Sequence, residues 1–306
     1  MLNNKTKVTI VNGFLGSGKT TFLSNYMPQI LKNDEKVALI VNEFGNFDMD
    51  SELLNHIDTK VSLMHGCVCC DLQTELVSTI HHLIIHNQVE HIVIEATGIA
   101  NPIDMLMACE DPIISQRVQS PQVITIVSAS DICRKASFSQ AKQQLIEDQM
   151  RASHHIIINK IDLLDNAEQQ TEVVKAVRKY APHSQIISTS YGQLSQVLSY
   201  DNTTQKMPAQ TTGHPTFQSM TYTFQGPIAQ DAFIEFILKL PETIHRAKGF
   251  IRFRAEPQET IVFQFAQPVP SLEKIGESDV PLSIVLIGEH LDKAQLRNQL
   301  DMLQFS

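Results

Sequence analysis

Eight residues constrain this chain more than any others. Gly13-Phe14-Leu15-Gly16-Ser17-Gly18-Lys19-Thr20 fit the pattern G-x-x-x-x-G-K-[ST] in full. A β-branched run, Val8 to Val11, leads into Asn12-Gly13, and Thr21 to Leu31 follows with a helical pattern. A strand, a glycine-rich turn and a helix in that order make a cradle for a phosphate chain. Glycines let backbone N–H groups converge on the phosphates, and the helix turns its positive end toward them. Lys19 can reach the β- and γ-phosphates, and the Thr20 hydroxyl can ligate Mg²⁺. Gly13, Gly16, Ser17, Gly18, Lys19, Thr20 and Thr21 are therefore the expected phosphate-binding set.

Such a loop needs a parallel sheet behind it. Val37 to Val41, His91 to Ile94, Val123 to Val127 and Ile156 to Ile158 are continuous apolar runs, as expected of strands buried on both faces. Ile186-Ile187 is a weaker candidate. Helical patterns at Asp71 to His86, Ala141 to Arg151 and Glu168 to Tyr180 lie between them. The alternation predicts an α/β domain over residues 1–200, a mainly parallel sheet flanked by helices. Residues 201–215 are polar, hold two prolines and a glycine, and read as a linker. Beyond them come a strand (Phe217 to Phe224), a helix (Ile228 to Leu240), strands near Gly249 to Arg254, Thr260 to Phe265 and Ser283 to Ile287, and a helix (Leu291 to Leu303). Residues 216–306 thus read as a smaller α+β domain, with helices on one face of a mostly antiparallel sheet.

A length of 306 residues suits two domains. The net charge of −9 argues against a nucleic-acid partner and an anionic membrane. No apolar run is long enough to span a bilayer, and the first residues show no signal-peptide pattern. Of the five cysteines, Cys67, Cys69 and Cys70 crowd together in Gly66-Cys67-Val68-Cys69-Cys70. An odd, clustered set is not a disulfide framework and fits a reducing, cytoplasmic setting. The isolated Cys109 and Cys133 read as small core residues.

Two strand ends extend the nucleotide reading. Glu95-Ala96-Thr97-Gly98 directly follows the strand His91 to Ile94. An acid at the carboxyl end of a parallel strand faces the ligand crevice. Glu95 can hold Mg²⁺ or orient an attacking water, while Gly98 leaves room for a γ-phosphate. Asn159-Lys160-Ile161-Asp162 follows the strand His155 to Ile158. The Asp162 carboxylate can accept hydrogen bonds from guanine N1–H and the exocyclic amine, donors that adenine lacks at those places. The Lys160 stem can lie along the purine, and Asn159 can brace the pocket, so guanine is the expected base. The acidic loop Asn42 to Asp50, with Glu43 and Asp50, lies where γ-phosphate is sensed in such folds.

The thiols call for a soft ion. Thiolates favour Zn²⁺ and Cu(I) over Mg²⁺. A closed structural zinc site takes four ligands, so three thiolates with an open position suit loading and unloading. His65 and Glu43 are candidate fourth ligands, and the positive end of the helix near Asp71 favours thiolate. A redox dithiol is the alternative chemistry. His81, His82 and His86 fall on that helix, with His82 and His86 at i, i+4 spacing. They read as polar-face residues, because a metal pair normally needs a third ligand and an orienting second layer of contacts.

Taken in order, GFLGSGKT, NEFG with its later acid, GCVCC, EATG and NKID resemble the CobW family of metal-handling P-loop GTPases. His214 in GHPTF, Arg246 to Phe250, and Ile284 to Asp292 resemble the C-terminal domain of that family, so the resemblance spans nearly the whole chain. It implies hydrolysis of GTP to GDP and phosphate with Mg²⁺, Lys19, Thr20 and Glu95 being the catalytic set. It implies a metallochaperone, often for zinc and sometimes for cobalt, in which Cys67, Cys69 and Cys70 are the zinc ligands. It also implies a metalloprotein client, and oligomers among relatives raise a nucleotide-dependent homodimer. The chain departs from the pattern at Ser128, where many relatives carry Asp, and it lacks the long histidine-rich insert of some. The rival expectation is a non-catalytic zinc-binding or zinc-sensing module with a structurally bound nucleotide.

Overall fold

A computed structural model of the chain describes residues 5–32, 35–42, 57, 59–63, 69–194, 198, 200, 217–266 and 269–305, with backbone alone at 42, 62–63, 69–72 and 269. The chain forms two compact units, Met1–Met105 with Arg117–Thr216, and Leu106–Gln116 with Phe217–Ser306.

The first unit is built on a seven-stranded parallel sheet of order β3-β2-β4-β1-β5-β6-β7. Its strands are β1 (Lys7–Asn12), β2 (Val37–Asn42), β3 (Thr59–Leu63), β4 (His91–Glu95), β5 (Gln122–Ser128), β6 (His155–Asn159) and β7 (Gln185–Ser188). The helices are α1 (Lys19–Leu31), α2 (Cys69–His82), α3 (Pro102–Cys109, which continues into the second unit), α4 (Ala129–Cys133), α5 (Gln140–Arg151) and α6 (Ala167–Tyr180). A π-helical turn, Leu83–Asn87, extends α2. The continuous apolar runs arise because successive side chains point to opposite faces, and both faces are covered. Ile157 packs with Phe22, Leu23 and Met27 of α1, alongside Leu39, Val93 and Ile126. Its neighbours Ile156 and Ile158 pack on the other side, with Ile146 and Met150 of α5 and Val173 and Val177 of α6.

The second unit carries an antiparallel sheet of order β11-β10-β9-β12-β8. These strands are β8 (Phe217–Thr223), β9 (Ile244–Phe253), β10 (Glu256–Ala266), β11 (Val269–Gly276) and β12 (Ser283–Glu289), with helices α7 (Gln230–Leu238) and α8 (Lys293–Phe305). Phe233, Phe236 and Ile237 of α7 and Leu296, Leu300 and Leu303 of α8 share one core with Phe263, Ile251 and Leu286 of the sheet. Phe233 and Phe263 meet edge to face, with centroids 5.1 Å apart, the geometry aromatic quadrupoles favour.

The expected α/β and α+β classes describe these two sheets. β3, β11, α3 and α4 are additions to the sequence reading. Cys109 is fully buried, as expected, and burial pushes its thiol well above the ordinary value, with Glu110 adding to the effect. Cys133 corrects the reading. It is exposed, because it lies at the end of the five-residue helix α4 while Ala129 and Ile132 take the buried face.

Candidate functional site

Strand register assembles the first part of the site. β1 lies between β4 and β5, placing Val11 opposite Glu95 and Asn12 opposite Thr125. The loop that leaves β1 therefore starts beside the end of β4. Gly18 precedes α1 in the left-handed region, at φ 102°. A Cβ there would stand 2.3 Å from Asn159 Nδ2, so only glycine fits both the backbone and the space. Gly98 is constrained by space alone. Its Cβ would stand 2.6 Å from the Leu15 backbone nitrogen, which brings the Glu95–Gly98 turn against the phosphate-type loop.

Three charged or polar groups converge on that loop. Lys19 Nζ donates to the Gly13 carbonyl at 2.8 Å. Burial lowers the Lys19 pKa, and the Glu95 charge opposes that shift. Burial raises the Glu95 pKa, against Lys19 and the Thr20 hydroxyl, which both favour its ionised form. Thr20 Oγ1 lies 3.4 Å from Glu95 Oε1. Two hard oxygens so placed at a loop mouth fit Mg²⁺, which takes oxygen ligands at ~2.0–2.1 Å and so needs neighbouring oxygens about 3 Å apart. Ser17 Oγ is buried and has no hydrogen-bond partner among the described residues, leaving a donor inside the loop for an anionic oxygen.

The end of β6 braces the loop from the other side. Asn159 Nδ2 donates to the Ser17 carbonyl at 3.0 Å, and its Oδ1 accepts the Gly192 N–H at 2.9 Å. Lys160 stands in the left-handed region at φ 62° and donates from Nζ to the Gly16 carbonyl at 2.7 Å. Asp162 is exposed in a short 3₁₀ turn, Ile161–Leu163. Gly13, Gly16, Ser17, Gly18, Lys19, Thr20, Glu95, Gly98, Asn159 and Lys160 thus form one connected group, with Thr21 on the first turn of α1.

The loop Thr189–Gly192 was not anticipated from the sequence. Gly192 presses on the Phe22 backbone, where a Cβ would come within 2.8 Å, and the Tyr191 carbonyl accepts from Asn25 Nδ2 at 2.9 Å. Tyr191 is 68% exposed beside the Asn159 brace. Its only sequence signal is a glycine after the last parallel strand. Lys142 is a second addition. Its ammonium stands 4.1 Å from the Phe14 ring centroid and 3.3 Å from that of Phe138, clamping a loop residue by cation–π attraction.

The structure does not describe the side chains of the expected zinc ligands. Cys67, His65, Glu43, Asp50 and His214 lie outside the described residues, as does the linker 201–215. Cys69 and Cys70 open α2 as backbone only. Among the described residues, no three or more His, Cys, Asp or Glu side chains gather into a metal-sized group. Ser128, 4% exposed, holds Ser130 Oγ at 2.9 Å, so it serves the α4 turn. No helix among the described residues is long and apolar enough to cross a membrane.

Residues 7–188 match the family model described as CobW/HypB/UreG, nucleotide-binding domain, and residues 217–304 match that of the cobalamin synthesis protein cobW C-terminal domain. The zinc chaperone CobW of Pseudomonas aeruginosa is 28% identical, over 97% of this chain and 91% of that protein. The zinc chaperone CobW of Sinorhizobium sp is 28% identical, over 53% of this chain and 52% of that protein. The zinc-regulated GTPase metalloprotein activator 1 of Schizosaccharomyces pombe is 28% identical, over 62% of this chain and 47% of that protein. The chain thus matches about half the length of two of these three curated relatives. Both family models fit consecutive parts of one sequence, the first covering more than half of it, and the chain belongs to the CobW family.

Proposed function

We propose that this chain is a GTP-hydrolysing metallochaperone that couples GTP binding and hydrolysis to carrying a transition metal, zinc first, to a metalloprotein client. The observation that carries the reading is the convergence of Lys19, the Thr20–Glu95 pair and the Asn159–Lys160 brace on one glycine-rich loop. The loop amides and Lys19 bind the triphosphate. Glu95, whose pKa burial raises against the opposing pull of Lys19 and Thr20, orients the attacking water. Asp162 selects guanine. Thr20 and Glu95 would hold Mg²⁺, which would supply charge neutralisation on the phosphate oxygens. Cys67, Cys69 and Cys70 take the zinc, with His65 or Glu43 as fourth ligand, and the acidic loop through Asp50 responds to the γ-phosphate. The names of the relatives support zinc as cargo, and cobalt is the second metal that the family resemblance implies. A reducing, cytoplasmic setting suits free thiolates. Leu15 and Ile99, 74% and 75% exposed beside Gly98, support a nucleotide-dependent homodimer across this face.

Zinc affinity measured by chelator competition, in GDP and in a nonhydrolysable GTP analogue, tests the coupling. Affinity is expected to change at least tenfold between the two states and to collapse in Cys67→Ser. Equal affinity in both, with bound nucleotide that never turns over, would instead identify a static zinc-binding module. Displacement of labelled GTP by ATP as effectively as by GTP would remove the assignment of Asp162.

A further inference from the structure

The far end of α2 carries a feature that the nucleotide and thiol reading leaves unused. His82 closes the α-helix, and the π turn Leu83–Asn87 follows directly. Both His82 and His86 are exposed, and their ring centroids stand 4.5 Å apart with planes tilted by 38°. The backbone beneath them is fixed. Leu76, Ile80 and Leu83 are fully buried on the opposite side, and Asn87 Nδ2 donates to Thr59 Oγ1 of β3 at 3.2 Å. Single π turns are frequent at functional positions.

The ring spacing has a chemical meaning. A metal ~2.0–2.1 Å from an imidazole nitrogen stands roughly 3.2 Å from the ring centroid, so two imidazoles at the right angle of a tetragonal Cu²⁺ or Ni²⁺ site have centroids about 4.5 Å apart, against about 5.2 Å at the tetrahedral angle of Zn²⁺. The observed separation is the tetragonal value. From this geometry we propose that His82 and His86 form a surface chelate for a divalent first-row transition ion of the Cu²⁺ and Ni²⁺ class, with water in the remaining positions. Neutral imidazole suits these ions, and two protein ligands leave the site exchangeable. It is separate from the thiol segment: twelve residues of helix from Cys70 to His82 span roughly 18 Å, too far for one ion to be shared along the helix. The buried anchors and the Asn87–Thr59 bond hold the backbone that carries the pair, and water stands in place of a third protein ligand. The proposal does not depend on the nucleotide reading.

Cu²⁺ titrated into the full chain carrying Cys67→Ser, Cys69→Ser and Cys70→Ser, followed by electron paramagnetic resonance, tests it. One equivalent with two nitrogen ligands is expected. His82→Ala and His86→Ala should each lose one nitrogen and weaken binding at least tenfold, whereas His81→Ala should leave both unchanged. An identical signal in the His82 and His86 variants would overturn the site. A second measurement uses the unmutated chain and needs no folded variant. Ni²⁺ should shield His82 and His86, but not His81, from diethyl pyrocarbonate as read by peptide mass spectrometry. Equal modification of all three with and without Ni²⁺ would overturn the proposal as well.

Discussion

His91 shows what burial does to a titrating group. It opens β4 at 4% exposure, its Nε2 hydrogen-bonds Thr9 Oγ1 at 2.8 Å, and the Tyr200 ring meets it edge-on at 5.7 Å. Burial, helped by the Lys7 charge, lowers its pKa from 6.5 to about 4. Between those values the unfolded chain binds more protons than the folded one, so acid favours unfolding. The stabilisation is complete above pH 6.5 and is lost as pH falls through 4; a shift of this size corresponds to on the order of 3 kcal/mol. Burial depresses His155 in the same direction, so the His91 share is isolated by difference. Unfolding midpoints of the unmutated chain and His91→Gln, followed from pH 7 to pH 4, should diverge, the variant showing the shallower loss. Parallel curves would assign the acid sensitivity elsewhere. The site itself was legible at this scale wherever chemistry fixes a residue type at a fixed spacing. Lys19, Thr20, Glu95, Asn159 and Lys160 are such residues. Gly192 was not legible, because its requirement is the nearness of the Phe22 backbone, contributed from a distant part of the chain.

Elements are set by patterns, and the unread ones lacked a pattern for physical reasons. The strands β1, β2, β4, β5 and β6 announce themselves as apolar runs because both faces are covered. Among the described residues β11 (VPSLEKIG) pairs with β10 alone, at the sheet edge, and its Glu273 and Lys274 are exposed charges of the kind that protect an open edge. In α3, Ile103, Met105, Leu106, Met107, Ala108 and Cys109 are all buried, so no polar face exists to reveal a helical period. α6 could be read because it is amphipathic, with Val173 and Val177 inward, and because its start carries a cap. Asn166 Oδ1 accepts the Gln169 N–H at 2.9 Å, while Gln169 Oε1 accepts the Asp165 N–H at 3.0 Å. Asn166→Ala should therefore cost about 1 kcal/mol, read as a lower urea midpoint with unchanged slope. An unchanged midpoint would mean that Gln169 alone holds the helix end.

The whole molecule does not respect the order of its sequence, for the second unit recruits Leu106–Gln116 from the middle of the first. A boundary drawn along the chain cannot include that segment, and its interactions are not decorative. The Glu110 carboxylate accepts from Ser219 Oγ at 2.6 Å in β8. The Asp111 carboxylate, 1% exposed, pairs with Lys248 of β9 at 2.7 Å. Separating such a pair strands a charge that folding had desolvated. A fragment of residues 217–306 alone leaves Lys248 without Asp111 and Ser219 without Glu110. It should unfold at lower urea than the same sheet within the whole chain. Joining residues 106–116 to that fragment through a flexible linker should restore much of the loss. Asp111→Asn in the rejoined fragment should withdraw ~2–3 kcal/mol of it, below the ~3–5 kcal/mol of a fully buried pair because the Lys248 side chain keeps 22% exposure. Equal midpoints for the fragment and the rejoined chain would show that the second sheet is self-sufficient. The expected order would instead make residues 106–116 a structural part of it. The same backbone would then run from Glu95, beside the glycine-rich loop, through α3 into the packing of the second sheet.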